Sequence, residues 1–227
     1  MEILFALAFL ASFAISFVVI KYLKGKVLSF GIFGLDINKS SRPKIPEAGG
    51  MLLLPAIFIL IVALVEGGFV NPLAYAILFT ASSFAAIGFF DDGFRLFKKE
   101  EGWLKYLANR GIVLFLLTLP FTYLVFVPLW GFSSLWFIFF GLVIILTASL
   151  TNSFAGLNGW EVGCSAIVLT GLIVMLSFSM FYTQSLVLIS LVMLGSILAL
   201  FYFNKYPARI FPGDSGTLLI GSFMGCM

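Results

Sequence analysis

The chain has 227 residues, of which 62% are hydrophobic, 17% aromatic and 10% charged, with thirteen Lys and Arg against ten Asp and Glu for a net charge of +3. A water-soluble core cannot hide so much apolar surface, so the composition excludes a soluble globular domain and describes a chain whose solvent is mostly lipid. There is no histidine, and Cys164 and Cys226 have neither metal-ligand spacing nor the pattern of a disulfide framework, which excludes a Ser/His/Asp triad, a zinc site of His ligands and a haem His.

Apolar runs of roughly 18 to 22 residues are long enough for a helix to cross about 30 Å of hydrocarbon. They predict spans at about 2–20, 51–66, 72–90, 107–127, 132–150, 163–182 and 186–203, with an eighth beginning near Leu218. The expected class is all-α: a polytopic helical bundle in a cell membrane, read as one domain over 1–227. A transmembrane barrel would instead show short alternating segments. The first run carries Glu2 and no basic residue ahead of it, so it reads as a retained span and not a signal peptide.

All the Lys and Arg residues fall in alternate breaks between these runs, at Lys21 to Gly50, Asp91 to Arg110 and Asn204 to Thr217, and Asn152 to Glu161 follows in phase. The intervening connections near 66–72, 128–134 and 182–185 carry none. Basic residues are retained on the cytoplasmic side of short loops, so the four polar breaks are expected in the cytosol. The placement of the charge is a statement about topology and not about nucleic acid.

Each break also carries a cluster with chemical character. The first, Asp36-Ile-Asn-Lys39-Ser-Ser-Arg42-Pro43-Lys44-Ile-Pro46-Glu47-Ala-Gly49-Gly50, reads as a stiff bent loop whose cations could meet pyrophosphate or lipid headgroups, or simply anchor the chain. In the second, Asp91 and Asp92 end an apolar helix where its dipole is already negative, which calls for a compensating cation. Mg²⁺ would serve, since it commonly takes one or two carboxylates, several waters and substrate phosphates. The alternative is a solvated loop in which the acids pair with Arg95, Lys98 or Lys99.

The third cluster, Asn152-Ser-Phe-Ala-Gly156-Leu-Asn158-Gly159-Trp-Glu161-Val-Gly163, interrupts an otherwise helical run and predicts a loop or half-helix lining a cavity; Asn158-Gly159 taken alone is a turn signal. In the fourth, Pro212-Gly213-Asp214-Ser215-Gly216-Thr217 opens an apolar helix. Asp214 or Ser215 could be an N-cap, or the free N–H groups could receive a phosphate or a metal-phosphate complex.

In this order and spacing the four clusters resemble the polyprenyl-phosphate N-acetylhexosamine-1-phosphate transferases, of the glycosyltransferase family 4 type. The resemblance covers nearly the whole chain. Pro46-Glu47 and the Ala-Gly156-x-Asn158-Gly159 form look most like the archaeal and eukaryotic dolichyl-phosphate GlcNAc-1-phosphate transferases. The sequence departs from many relatives at Ser149, often Asn, and at Arg95, often Asp or Asn. It also ends inside an apolar helix, whereas relatives have ten or eleven spans and a later cytosolic loop, which implies that C-terminal spans are missing.

The resemblance implies transfer of GlcNAc-1-phosphate, or a related N-acetylhexosamine-1-phosphate, from a UDP-sugar to polyprenyl or dolichyl phosphate with release of UMP, on the cytoplasmic face. It implies Mg²⁺, with Mn²⁺ as a substitute, held by Asp214 and Asn152. Asp91, Asp92 and Lys105 are then catalytic candidates, and Lys39, Arg42, Lys44, Glu47, Asn158, Gly159 and Glu161 bind substrate. Membrane lipid and a homodimer are compatible partners. An inactive fragment, or a transporter or flippase of lipid-linked substrates, is the competing expectation. A transporter would carry its polar breaks near the bilayer midplane, and these lie at one interface.

Overall fold

A computed structural model describes residues 2–37, 39–94, 103–130, 136–154, 156–178 and 184–227, with backbone alone at 94, 103–109, 126–130 and 137. Among these residues the chain forms eight helices and one small hairpin: α1 Glu2–Ser29, β1 Phe33–Leu35, β2 Lys44–Pro46, α2 Gly49–Glu66, α3 Ala74–Phe94, α4 Trp103–Trp130, α5 Trp136–Ser153, α6 Trp160–Phe178, α7 Gln184–Asn204 and α8 Gly213–Cys226. Five of them, α1, α2, α3, α6 and α7, are long and apolar enough to cross a membrane over their described residues, and the apolar stretches 110–125 and 138–153 lie in α4 and α5. The all-helical membrane bundle expected from the sequence is therefore the observed architecture.

Two details differ from the sequence reading. Lys21, Lys24 and Lys26 are helical, because α1 runs on to Ser29; lysine is a good helix former and no proline interrupts that stretch. The first polar break is not wholly irregular either. Its β1 and β2 strands pair antiparallel, with Phe33 opposite Pro46, Gly34 opposite Ile45 and Leu35 opposite Lys44. Strands of three residues are too short to show an alternating pattern.

The outer surface carries large apolar side chains along the helices, among them Leu7, Ile112, Leu146, Ile167 and Met175. Such a surface is what lipid solvates, and with the helical spans it describes a multi-pass membrane protein. The interior holds large apolar side chains such as Phe84, Phe223 and Met193, and small residues bring particular helix pairs close, as expected where lipid removes the hydrophobic drive for helix association. Between α1 and α7, Ser12 and Ser196 share a hydrogen bond of 2.7 Å and Ser16 donates to Ser196 over 2.9 Å, all three side chains being buried.

Helix α8 is the centre of the bundle, packed on α2, α3, α5 and α6 and buried from Ser215 through Phe223. Glycines permit this closeness. A Cβ at Gly88 of α3 would stand 2.5 Å from the Asp214 carbonyl and the Ser215 nitrogen, and one at Gly50 of α2 would meet the backbone of Ser215 and Gly216. These two positions bring α2 and α3 against the first turn of α8.

A contrast between two helical glycines tests this packing. Gly88→Ala should destabilise the detergent-solubilised protein by about 1–3 kcal/mol, because backbone has to move to admit the methyl group. Gly171→Ala, where no atom lies within 4 Å of the added carbon, should be neutral or stabilising by up to about 1 kcal/mol from helix propensity. Equal melting temperatures for the two variants would contradict the close α3–α8 approach.

Candidate active site

The four polar clusters meet at one end of the bundle, where α3, α5 and α7 end and α2, α6 and α8 begin. Backbone hydrogen bonds sew the first cluster to the fourth: Phe211 N–H donates to the Pro46 carbonyl (2.8 Å), Gly49 N–H to Phe211 (2.9 Å) and Gly50 N–H to Pro212 (3.1 Å). Ala48 makes the turn from β2 into α2 with φ of 95°, a left-handed conformation that costs an alanine about 1–2 kcal/mol. The third cluster is tied in by Asn204, which is fully buried. Its Oδ1 accepts from Gly159 N–H (3.0 Å) and its Nδ2 donates to the Ile210 carbonyl (3.0 Å).

These connections enclose a cavity of about 200 Å³. Its lining includes Asp36, Glu47, Asn152, Asn158, Glu161 and Asp214. Asn152 Oδ1 accepts from the Thr217 hydroxyl over 2.8 Å, and that hydroxyl also lies 3.3 Å from the Asp214 carbonyl oxygen. Glu161 is 7% exposed, and its Oε2 has no hydrogen-bond partner among the described residues. Burial, and secondarily the Asp214 carboxylate, hold the Glu47 carboxyl above the usual carboxylate range.

Asp91 and Asp92 stand beside the cavity and not in its lining. Asp92 Oδ1 accepts from Asp214 N–H (2.9 Å) and Oδ2 from Ser215 N–H (3.2 Å). It thereby caps α8 from another helix, since the residue at the N-cap position, Pro212, offers no side-chain hydrogen bond. Asp214 lies within the first turn and does not cap. Its carboxylate meets Arg110 Nη2 at 2.8 Å, and Arg110 Nη1 lies 3.5 Å from Asp91.

The remaining sequence candidates are placed around the rim. Lys39 pairs with Asp36 at 2.9 Å and lies over the Tyr206 ring. Lys44 lies 4.5 Å from the Phe33 ring centroid, and Arg42 is exposed in the hairpin turn with φ of 41°. Gly159 is buried against Lys205 and Phe201, not in the cavity lining. Lys105 falls in the first turns of α4, and its side chain lies outside the described residues.

Four residues join the site that the sequence candidates did not include: Arg110, Asn204, Thr217 and Asp36. A signal existed for Arg110, because a charged residue entering an apolar helix requires a partner. Asp36 stands in the first cluster, but only the fold reveals that it is 1% exposed and that Asn158 Nδ2 donates to its Oδ2 over 3.2 Å.

The donor set fits a hard divalent ion in one particular way. Among the described residues no group of three or more His, Cys, Asp and Glu side chains is placed to hold a metal ion by itself. Asp214, 27% exposed at its side chain, and Asn152 share the cavity. One carboxylate and one amide carbonyl suit Mg²⁺ when water and phosphate oxygens complete its shell.

Residues 74–227 match glycosyl transferase family 4. A Methanocaldococcus jannaschii protein provisionally named a glycosyltransferase is 33% identical over 218 residues, covering 95% of this chain and 64% of its own length. A Saccharolobus solfataricus protein provisionally named a UDP-N-acetylglucosamine–dolichyl-phosphate N-acetylglucosaminephosphotransferase is 29% identical over 230 residues, 97% of this chain and 69% of that one. The phospho-N-acetylmuramoyl-pentapeptide-transferase of Prochlorococcus marinus subsp. pastoris is 31% identical over 212 residues, 84% and 56% of the two chains. The chain thus spans a little under two thirds of the length of the first of these relatives, and with more than half of its residues matched it belongs to glycosyl transferase family 4.

Proposed function

We propose that the protein transfers an N-acetylhexosamine-1-phosphate, GlcNAc-1-phosphate as the first choice, from a UDP-sugar to a polyprenyl or dolichyl phosphate, releasing UMP. The observation that carries this reading is the single cavity in which Asp214, Asn152, Glu47, Asn158 and Glu161 meet, in a chain of this family. When bound, Mg²⁺ would neutralise pyrophosphate charge and orient the donor, and Asp214 and Asn152 are the residues to hold it. Phosphoryl transfer of this kind asks the protein chiefly for positioning and charge compensation.

The chain's own groups divide that work. Asp92 fixes the first turn of α8, and Arg110 orients the Asp214 carboxylate toward one face of the site. Asn158 and Glu161 offer hydrogen-bond acceptors for the nucleoside. The lipid phosphate needs no strong base, since a phosphate monoester is largely ionised at neutral pH; Asp91, paired with Arg110, serves the electrostatic balance.

The direct test incubates membranes containing the full-length protein with radiolabelled UDP-GlcNAc, dolichyl phosphate and Mg²⁺. A lipid-soluble labelled product together with UMP is expected, and its absence with every UDP-N-acetylhexosamine would refute the assignment. Within that assay Asp214→Asn should shift the Mg²⁺ titration to higher concentration at little cost in melting temperature. Superimposed titrations would remove Asp214 from the metal site.

Asp92→Asn should behave differently. An amide can accept one N–H but turns a donor toward the other, so the first turn of α8 loses a hydrogen bond. About 1–2 kcal/mol of stability should disappear along with turnover. A variant with wild-type melting temperature and lowered turnover would make Asp92 a reacting group instead of a cap.

The charge asymmetry supports a cytosolic location for this end of the bundle. A cysteine at Lys205 should then be shielded from an impermeant thiol reagent in sealed right-side-out cells while one at Asn71 reacts. The opposite labelling would invert the orientation.

A further inference from the structure

We infer that the last turns of α1 and the end of α7 form a binding site for the phosphate headgroup of an anionic membrane lipid, held by Lys24 and Arg209. The site is separate from the cavity and independent of the transferase reaction. Helix α1 faces α7 along one stripe. Ala8, Ser12, Ser16 and Ile20 are its buried residues, one at every fourth position, and the next position in that series is Lys24. A cation therefore stands where the spacing calls for a packing residue.

What meets that cation is an aromatic ring and a second cation. Lys24 Nζ lies 5.1 Å from the centroid of the buried Phe203 ring. Arg209 Cζ lies 5.2 Å from the same centroid and 5.0 Å from that of Tyr202. Arg209 is fixed in this place, because its backbone N–H donates to the Phe203 carbonyl over 2.8 Å and its Nη2 to the Tyr202 carbonyl over 3.2 Å. Lys205, 5.3 Å from the Tyr202 centroid, and Lys21, one turn before Lys24, widen the patch. Among the described residues none of these four cations forms an ion pair with a carboxylate. The aromatic faces position the charges without neutralising them. The C-terminus of α7 offsets only about half a charge, and α1 runs on to Ser29, so its own terminus lies beyond Lys24. The patch calls for an anion from outside the chain.

Its depth and surroundings select a lipid over a free phosphate. Phe17, inside the apolar run of α1, packs on Phe203 at 4.9 Å and on Tyr202 at 5.2 Å between centroids, so the cations stand where that run ends. Tyr22, Tyr202 and Tyr206 are exposed around them, as tyrosines are at a membrane–water boundary. Below the patch, Leu7, Leu10 and Val18 are exposed, and helical spacing puts them on the face of α1 that ends in Lys21 and Tyr22. Such a face takes an acyl chain, and the cations at its end take the phosphate that the chain carries.

The melting temperature of the full-length protein in a neutral detergent, titrated with dioctanoyl phosphatidylglycerol, tests this, with dioctanoyl phosphatidylcholine and inorganic phosphate titrated alongside. Wild type should show a saturable rise with phosphatidylglycerol at concentrations where the other two give none. Lys24→Gln with Arg209→Gln should raise the half-saturating concentration at least about tenfold, since each cation adds to the attraction for lipid phosphate. Lys98→Gln with Lys99→Gln, which removes the same charge from another polar break, should leave it unchanged. Equal weakening in the two double variants would reduce the effect to net charge and overturns the inference. An equal rise with inorganic phosphate makes the ligand a free anion, an equal rise with phosphatidylcholine makes it any lipid, and either result also overturns it.

Lys24→Glu keeps the experiment decisive even if the Gln variants fold poorly. It places a carboxylate beside Arg209, so the protein supplies the anion itself. The melting temperature without lipid should then equal or exceed that of wild type, and the response to phosphatidylglycerol should disappear. A Lys24→Glu protein that responds to phosphatidylglycerol as wild type does would show that the headgroup is not held between these two side chains.

Discussion

The site depends on one carboxylate shared between two helix ends. Helix α8 is apolar and buried, and its first turn has N–H groups that no local side chain satisfies. Asp92, at the last turn of α3 and 122 residues away in sequence, accepts two of them. The electrostatics of the two helix ends oppose each other. The carboxylate stands at the negative end of the α3 dipole, which disfavours it, and at the positive end of the α8 dipole, which stabilises it by roughly 0.3–1 kcal/mol or more when partly buried. A helix terminus thus supplies part of the compensating positive charge that the sequence demands for Asp92.

The same junction explains where the remaining charge goes. Glu47, Asp91, Asp92 and Asp214 bring four carboxylates to the meeting of α2, α3 and α8, and Arg110 brings a guanidinium that reaches Asp91 and Asp214. Among the described residues carboxylates outnumber cations there, and burial first, then the Asp214 carboxylate, hold the Glu47 carboxyl above the usual range. Mutual repulsion of this kind disfavours the ionised state of a buried acid unless a cation enters. Under the proposed reaction a divalent ion would relieve that repulsion, which sets the junction apart from an ordinary surface ion-pair network of matched charges that contribute little.

Much of this was legible in the sequence, and the limits have physical reasons. The spans were readable because an apolar run long enough to cross hydrocarbon is a local property of the chain, and α1 to α7 follow the predicted runs to within about four residues at every end except the C-terminal end of α1. The loop at Asn152 to Glu161 was readable because its glycines and amides break an apolar pattern. The cap by Asp92 was not, since it joins residues that only the packing of α3 on α8 brings together, and that packing is set by the absence of a side chain at Gly88. Arg110 was hidden for the opposite reason: it lies at the edge of an apolar run, where one charge looks like a boundary until its two partners are in view. The resemblance implies Lys39 and Lys44 as substrate-binding residues, and only the fold reveals that Lys39 pairs with Asp36 and that Lys44 lies over the Phe33 ring.

The distribution of charge around the cavity bears on how an anionic donor would enter it. Lys39 is ion-paired with Asp36, while Lys205 lies over Tyr202, and Arg209 against Tyr202 and Phe203, so these cations of the fourth cluster are held on aromatic faces. Such contacts position a charge without neutralising it. The cavity wall is instead acidic and amide-rich. A pyrophosphate drawn to the rim by long-range attraction would meet repulsion at the wall unless a divalent ion accompanied it. Under the proposed reaction, cationic rim and acidic interior therefore favour the metal-bound nucleotide over the bare one at the step of entry, before any chemistry occurs.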